Sequence, residues 1–116
     1  MIYTSYFASP KIRGLDSDTL VSVARTEPKG YAGKKVAFFA PSWKLIDIWK
    51  VKKDWPLYTK IYTRDYLAHI DVSQAGTKFQ NKVLLCWENL AKPGEHCHRE
   101  LIASWLQSNG FAVEEL

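Results

Sequence analysis

The sequence predicts a small single-domain α/β protein with a mostly parallel sheet of about four strands flanked by helices. The chain has 116 residues, which is the usual size of one domain. Its hydrophobic content of 47% is enough to form a packed core rather than a disordered chain. Its C-terminal part reads strand, loop, helix, strand, which is typical of a Rossmann-like βαβ unit. We therefore expect residues 1–116 to form one α/β domain.

The N-terminal part favours extended structure. Residues 2–7 are β-branched and aromatic and predict a first strand. Residues 20–24 predict a second strand, and residues 28–33 have the composition of a turn. Residues 36–39 are ambiguous, and we assign them as extended.

Three capping residues predict the starts of helices in the middle of the chain. Ser42 follows Pro41 and precedes apolar residues at helical spacing. Asp54 caps a second helix that has Pro56 in its first turn. Asp71 caps a short third helix, which a glycine at position 76 weakens.

The C-terminal part contains the clearest strand and the clearest helix. Residues 82–87 predict a strand whose core is a continuous apolar run, as expected of a strand covered on both faces. Residues 99–109 form an amphipathic helix, and Gly110 stands where such a helix ends. Residues 111–114 return as a short strand, which implies a parallel pair. The expected core comprises Leu84, Leu85, Ile102, Trp105 and Leu106.

Charge and cysteine content limit the classes of function. The formal net charge is +4, and residues 25–64 carry ten basic and three acidic side chains, a local excess of +7. This basic segment attracts a phosphate-bearing partner such as nucleic acid, or else it is only a solvated lysine-rich face. No signal peptide or membrane-spanning run is visible, so we expect a cytoplasmic protein without membrane contact. With only two cysteines, we expect free thiols in a reducing compartment.

The most informative segment joins the best strand to the best helix. Cys86 and Glu88 lie at the strand end, and the helix start carries His96, Cys97, His98 and Arg99. Ligands of open α/β sheets bind where the carboxyl ends of strands meet helix N-termini. Free backbone N–H groups there favour an anion, and Arg99 adds a bidentate donor for phosphate or carboxylate. Glu88 or Glu95 is the alternative partner of Arg99, as an internal ion pair.

The reactivity of Cys97 depends on its position. A helix N-terminus with cationic neighbours makes a thiol more nucleophilic, so we name Cys97 as candidate nucleophile and expect it to be partly accessible. His96 or His98 is then the base and Glu88 the orienting group or acid. The alternative is a structural role for the same residues, and Cys86 is expected to be a buried small hydrophobe.

Other types of site fit less well. The ligand-type residues match no paired zinc pattern, and adjacent ligands at positions 96–98 do not easily converge, so no metal is expected. A cysteine-phosphatase loop would place an arginine where Ala103 stands. No glycine-rich nucleotide fingerprint occurs, and no cofactor is predicted.

The segment from Leu84 to Glu88, followed by Cys97-His98-Arg99 and by a helix ending near Asn109-Gly110, resembles the family catalogued as domain of unknown function 488. The opening residues 2–7 and the segments at 33–50, Tyr58 and Leu67 are similar to short members, so most of the chain is covered. The resemblance implies an α/β fold with a functional cluster at Cys86, Glu88, Cys97, His98 and Arg99. It implies no particular activity.

Three hypotheses of function follow. The first is a module that binds a phosphate-bearing ligand, a nucleotide or a nucleic acid, with Arg99, Cys86 and His96 among the binding residues. The second is a thiol-dependent enzyme with Cys97 as nucleophile. The third is a small protein-interaction domain whose cluster only holds the fold together.

Overall fold

A computed structural model describes all 116 residues and contains a five-stranded sheet in which every paired neighbour is parallel. The strands are β1 (Ile2–Tyr6), β2 (Leu20–Ser22), β3 (Lys34–Lys35), β4 (Val83–Cys86) and β5 (Val113–Glu115). Their order across the sheet is β3-β2-β4-β1-β5. The helices are α1 (Trp43–Lys50), α2 (Trp55–Asp65), α3 (Val72–Lys78) and α4 (His98–Ser108). The predicted α/β fold class is confirmed.

The strand β4 is central and covered on both faces, as its continuous apolar run predicts. Leu84 and Cys86 point into the main core, which the helices cover. Val83 and Leu85 point to the opposite face, where they pack with Ile12 from the loop after β1. All four residues of β4 are buried. A shift of β4 by one residue would move each side chain to the opposite face of the sheet and disrupt the packing on both. The position of its carboxyl end is therefore well defined.

The three predicted helix caps are confirmed. The side-chain oxygens of Ser42, Asp54 and Asp71 accept hydrogen bonds of 3.1 Å from backbone N–H groups in the first turns of α1, α2 and α3. Each bond satisfies a donor that has no partner within the helix. Packing explains the glycine at position 76 in α3, since a Cβ there would overlap the ring of Phe111.

One strand prediction needs correction, and one strand was not predicted. Of residues 36–39 only Val36 is extended, because Ala37–Phe39 form a 3₁₀ turn that buries Phe39 completely in the main core. The edge strand β3 was not predicted, since it is two exposed lysines with no apolar pattern.

The C-terminal βαβ unit exists, but its two strands are not neighbours. β1 lies between β4 and β5 and pairs with both. The sheet therefore contains five strands rather than about four. Of the expected core residues, Leu84, Leu85, Ile102 and Leu106 are fully buried, and Trp105 is half-buried against the edge of Phe39.

No helix combines the length and the apolar character that crossing a bilayer requires.

Candidate active site

A pocket of about 240 Å³ opens at the carboxyl ends of β2 and β4. The chain after β2, the end of β4, the start of α4 and the helices α1 and α2 form its walls. This is the position at which open parallel sheets bind ligands. The pocket brings Cys86, Glu88, His96, Cys97 and His98 together, as the sequence predicts.

The two cysteines meet in this pocket and form a disulfide. Cys86 is the last residue of β4, and Cys97 is the N-cap of α4. The expectation of two free thiols is therefore wrong for this structure, because the strand end and the helix start bring the sulfur atoms into bonding contact. The expectation that Cys97 is partly accessible is also wrong, since 3% of it is exposed, against 1% of Cys86.

The hydrogen bonds of His98 define a neutral tautomer in which one ring nitrogen is unprotonated. Its Nε2 lies 2.6 Å from the carbonyl oxygen of Val23, and because a carbonyl only accepts, Nε2 carries the proton. Nδ1 is then an acceptor and lies 3.6 Å from Sγ of Cys97. Burial lowers the pKa of His98 to about 4, although the bond to Val23 opposes that effect. His98 is therefore neutral at physiological pH.

Arg99 is completely buried and bonded within the protein. Its Nε and Nη2 donate to the two carboxylate oxygens of Glu115 at 3.0 and 2.7 Å, a bidentate pair. Its Nη1 donates to the carbonyl oxygen of Glu88 at 2.6 Å and to Sγ of Cys86 at 3.0 Å. Thr4 donates to Glu115 at 2.7 Å and holds that carboxylate in place.

The internal pair of Arg99 thus exists, with a partner that the sequence did not suggest. The side chains of Glu88 and Glu95 were expected, whereas the structure uses the carboxylate of Glu115 and only the backbone oxygen of Glu88. Glu115 was missed because its position beside Arg99 depends on β5 lying at the sheet edge next to β1. The only signal in the sequence was that acidic residues lie near its end, 16 positions after the basic Arg99 at the start of the last helix.

Glu88 is an acidic group beside the disulfide. Its Oε2 lies 3.7 Å from Sγ of Cys86, and its Oε1 forms an ion pair with Nζ of Lys50 on α1. The side chain is 14% exposed. The structure therefore places Glu88 beside Cys86, and its carboxylate forms no hydrogen bond with either of the histidines that it was expected to orient.

His96 belongs to the wall of the pocket rather than to the sulfur atoms. Its ring stacks on Trp55 with centroids 4.4 Å apart and meets the edge of Trp49 at 5.0 Å. Its Nδ1 lies 2.7 Å from a carboxylate oxygen of Glu100. Beside this wall, burial raises the pKa of Tyr58 well above its ordinary value and keeps the phenol neutral.

The outer part of the pocket presents aromatic and basic groups to solvent. Trp43 is 56% exposed and Trp87 is 48% exposed, and Arg25 is also exposed at the same pocket. The Trp87 indole is anchored because its Nε1 donates to the carbonyl oxygen of Thr26 at 2.9 Å. From the sequence, the tryptophans and tyrosines as a group are candidates for stacking surfaces, but no individual one can be singled out, because most are expected to lie in the core.

A cluster of ligand-type atoms also exists at the disulfide. The sulfur atoms of Cys86 and Cys97 and a ring nitrogen of His98 lie within 4.8 Å of one another. After reduction, two thiolates and one imidazole are a donor set of the type that zinc uses. The reasoning that adjacent residues do not converge is wrong for Cys97 and His98.

Comparison with known proteins places the chain in a family. Residues 4–110 match the family model DUF488-N3a, described as the active DUF488-N3 subclade. The chain therefore belongs to the DUF488 family, and the resemblance seen in the sequence is confirmed. No curated protein and no solved structure gives a significant match.

Proposed function

We propose that this DUF488-N3a protein is a thiol-dependent enzyme in which Cys97 is the nucleophile. The observation that carries the proposal is the position of Cys97, which faces both the pocket and the free Nδ1 of His98 at 3.6 Å. A nucleophilic cysteine requires a neighbouring acceptor for its proton and a space for the substrate beside the sulfur atom. Both are present once the disulfide is reduced.

The helix start supports the anionic form of Cys97. Cys97 is the N-cap of α4, which has 11 residues, and its side chain makes no capping hydrogen bond. The positive end of a helix dipole stabilises a thiolate at this position.

His98 receives the proton only transiently. Because burial lowers its pKa to about 4, the imidazole does not store the proton at neutral pH. It accepts the hydrogen bond of the thiol, orients the sulfur atom and passes the proton to the leaving group. The bond from Nε2 to Val23 keeps the ring in the tautomer that this role requires.

The pocket favours a substrate with a planar or apolar part and a negative charge. Trp43 and Trp87 offer exposed indole faces, and Arg25 offers a cation at the same opening. We assign the activity to the cytoplasm, where cellular dithiols keep such a cysteine pair reduced.

Single-cysteine variants test the proposal. After reduction, the Cys86→Ser protein, which retains Cys97, should react with iodoacetamide at least several-fold faster than the Cys97→Ser protein. Adding His98→Gln to Cys86→Ser should slow the reaction, because glutamine keeps a donor for Val23 but offers no basic nitrogen near Cys97. His69→Gln is the matched control, since His69 is exposed and remote in sequence from the pocket residues. Equal rates in the two single-cysteine variants would contradict the assignment of Cys97.

A second candidate function is binding of a phosphate-bearing ligand, such as a nucleotide or a nucleic acid, without catalysis. The exposed Arg25 beside two exposed indoles favours it, as bases stack on aromatic side chains next to basic groups. Arg99 does not contribute to such a site directly, because its guanidinium is buried and bonded to Glu115.

Thermal melting distinguishes this candidate. A ligand that binds only the folded state raises the melting temperature. We expect wild type to melt higher in a nucleoside triphosphate than in chloride at equal ionic strength, and Arg25→Gln to lose the difference. Lys29→Gln, at an exposed lysine outside the pocket, is the control. No effect on wild type would exclude nucleotides as ligands.

A further inference from the structure

We propose that Cys86 is the resolving thiol of the reaction and that the substrate is an organic disulfide, which the protein reduces to two thiols. This inference rests on the proposed role of Cys97. It adds a second catalytic cysteine, a substrate class and a catalytic cycle.

The first support is that the two sulfur atoms form a self-contained pair. They are 11 residues apart in sequence but bonded to each other, and the chain has no further cysteine. A thiol that attacks a disulfide becomes trapped as a mixed disulfide unless a second thiol releases it. Cys86 is in contact with the sulfur atom that it would have to attack.

The second support is that each sulfur atom has its own polar environment. Cys97 has the start of α4 and Nδ1 of His98. Cys86 has Nη1 of Arg99 at 3.0 Å, a charged donor that favours a thiolate over a thiol. Oε2 of Glu88, at 3.7 Å from Cys86, is positioned to accept the thiol proton. The two cysteines are thus equipped for two different steps.

The third support is the room beside the pair. The pocket of about 240 Å³ includes both cysteines in its lining, so the organic half of a mixed disulfide on Cys97 has space in which to bind. Its exposed indoles and Arg25 suit a disulfide that carries an aromatic or apolar part and a carboxylate.

The cycle balances in atoms and electrons. The Cys97 thiolate attacks one sulfur atom of the substrate, which forms a mixed disulfide and releases the first substrate thiolate. The Cys86 thiolate then attacks Sγ of Cys97, which forms the Cys86–Cys97 disulfide and releases the second thiolate. The two protons from the cysteine thiols pass to the two leaving thiolates through His98, Glu88 or solvent. The substrate gains two electrons and the protein loses two. A dithiol reductant regenerates the cysteine pair by two further exchanges.

Dithiobis-nitrobenzoate is a suitable probe, because it is an aromatic anionic disulfide whose released thiolate is coloured. The reduced wild-type protein, freed of reductant, should release two coloured thiolates per chain and keep no adduct, and its mass should equal that of the disulfide form. The Cys86→Ser variant should release one thiolate and keep a stable adduct on Cys97. Dithiothreitol should restore the wild-type protein for a second round.

The outcomes separate this inference from the proposed function. If reduced wild type instead keeps two adducts, or if Cys86→Ser sheds its adduct without added thiol, Cys86 is not the resolving thiol, although Cys97 can still be the nucleophile. If Cys97→Ser reacts faster than Cys86→Ser, the order of the two cysteines is reversed and both proposals fail.

Two further controls keep the test decisive. Rapid acid quenching of wild type should reveal a transient mixed disulfide on Cys97, which gives the answer even if Cys86→Ser folds poorly. Hydroxyethyl disulfide, which is small and uncharged, reacts more slowly with any thiol because its alkyl thiolate is a poorer leaving group, so the preference for the aromatic anion is measured as the ratio of the two rates and compared between wild type and Arg25→Gln. Arg25→Gln should reduce that preference, and an unchanged preference would contradict the assigned substrate class.

Discussion

The buried neutral His98 should make the stability of the protein depend on pH in a defined window. Burial lowers the pKa of His98 from 6.5 to about 4 in the folded protein. Between these values the unfolded chain binds a proton that the folded protein does not accept, so the stability falls as the pH decreases from about 6.5 towards 4. The full difference between the pKa of His98 in the unfolded and the folded state corresponds to about 3 kcal/mol in the free energy of unfolding.

The assay is urea denaturation without reductant at several pH values from neutral to about pH 4.5. Carboxylates also titrate at the acidic end, so the comparison is with His98→Gln, which keeps the donor to Val23 and lacks the titration. We expect wild type to lose about 2 kcal/mol more than His98→Gln over this range. His69→Gln, at an exposed ring, should follow wild type. If the free energies of unfolding of wild type and His98→Gln change equally with pH, the reasoning that burial lowers the pKa of His98 is refuted.

Three further predictions concern the surroundings of the site. Arg99→Ala should lower the free energy of unfolding by about 1–3 kcal/mol in urea denaturation, because it removes a buried side chain and leaves the carbonyl oxygen of Glu88 and the half-exposed carboxylate of Glu115 without their donor; a loss below 1 kcal/mol would contradict an internal role. Reduction of the Cys86–Cys97 bond should cost about 3 kcal/mol through loop entropy, which is roughly 10 °C in melting temperature for a chain of this size; an unchanged melting temperature would show that the bond does not constrain the unfolded chain. Gly76→Ala should cost about 1–3 kcal/mol by forcing the new methyl group against Phe111, whereas a stabilised variant would show that α3 moves freely.

Local patterns in the sequence predicted much of the fold. The caps Ser42, Asp54 and Asp71 and the apolar run of β4 are features of neighbouring residues, and each fixed an element correctly. The position of β1 between β4 and β5 was not predicted, because strand order depends on contacts between residues far apart in sequence. The two-residue edge strand β3 carries no apolar pattern at all.

The same difference between local features and long-range contacts applies to the site. Placing Cys86 at a strand end and Cys97 at a helix start predicted that they would be close, and the pocket contains both. The disulfide, the tautomer of His98 and the pairing of Arg99 with Glu115 depend on distances of a few ångströms across the sheet edge. The indoles of Trp43 and Trp87 were assigned to no site, because exposure cannot be recognised from residue type.

The most direct test of the central claim, that Cys97 is an activated nucleophile, is competitive labelling of both cysteines in the same reduced wild-type chain. A short pulse of iodoacetamide is followed by peptide mass spectrometry, once for the folded protein and once for the protein unfolded in urea. In urea the two thiols have lost their environments and should label nearly equally. In the folded protein the label on Cys97 should exceed that on Cys86 at least several-fold. A folded ratio no different from the ratio in urea, or one that favours Cys86, would contradict the account.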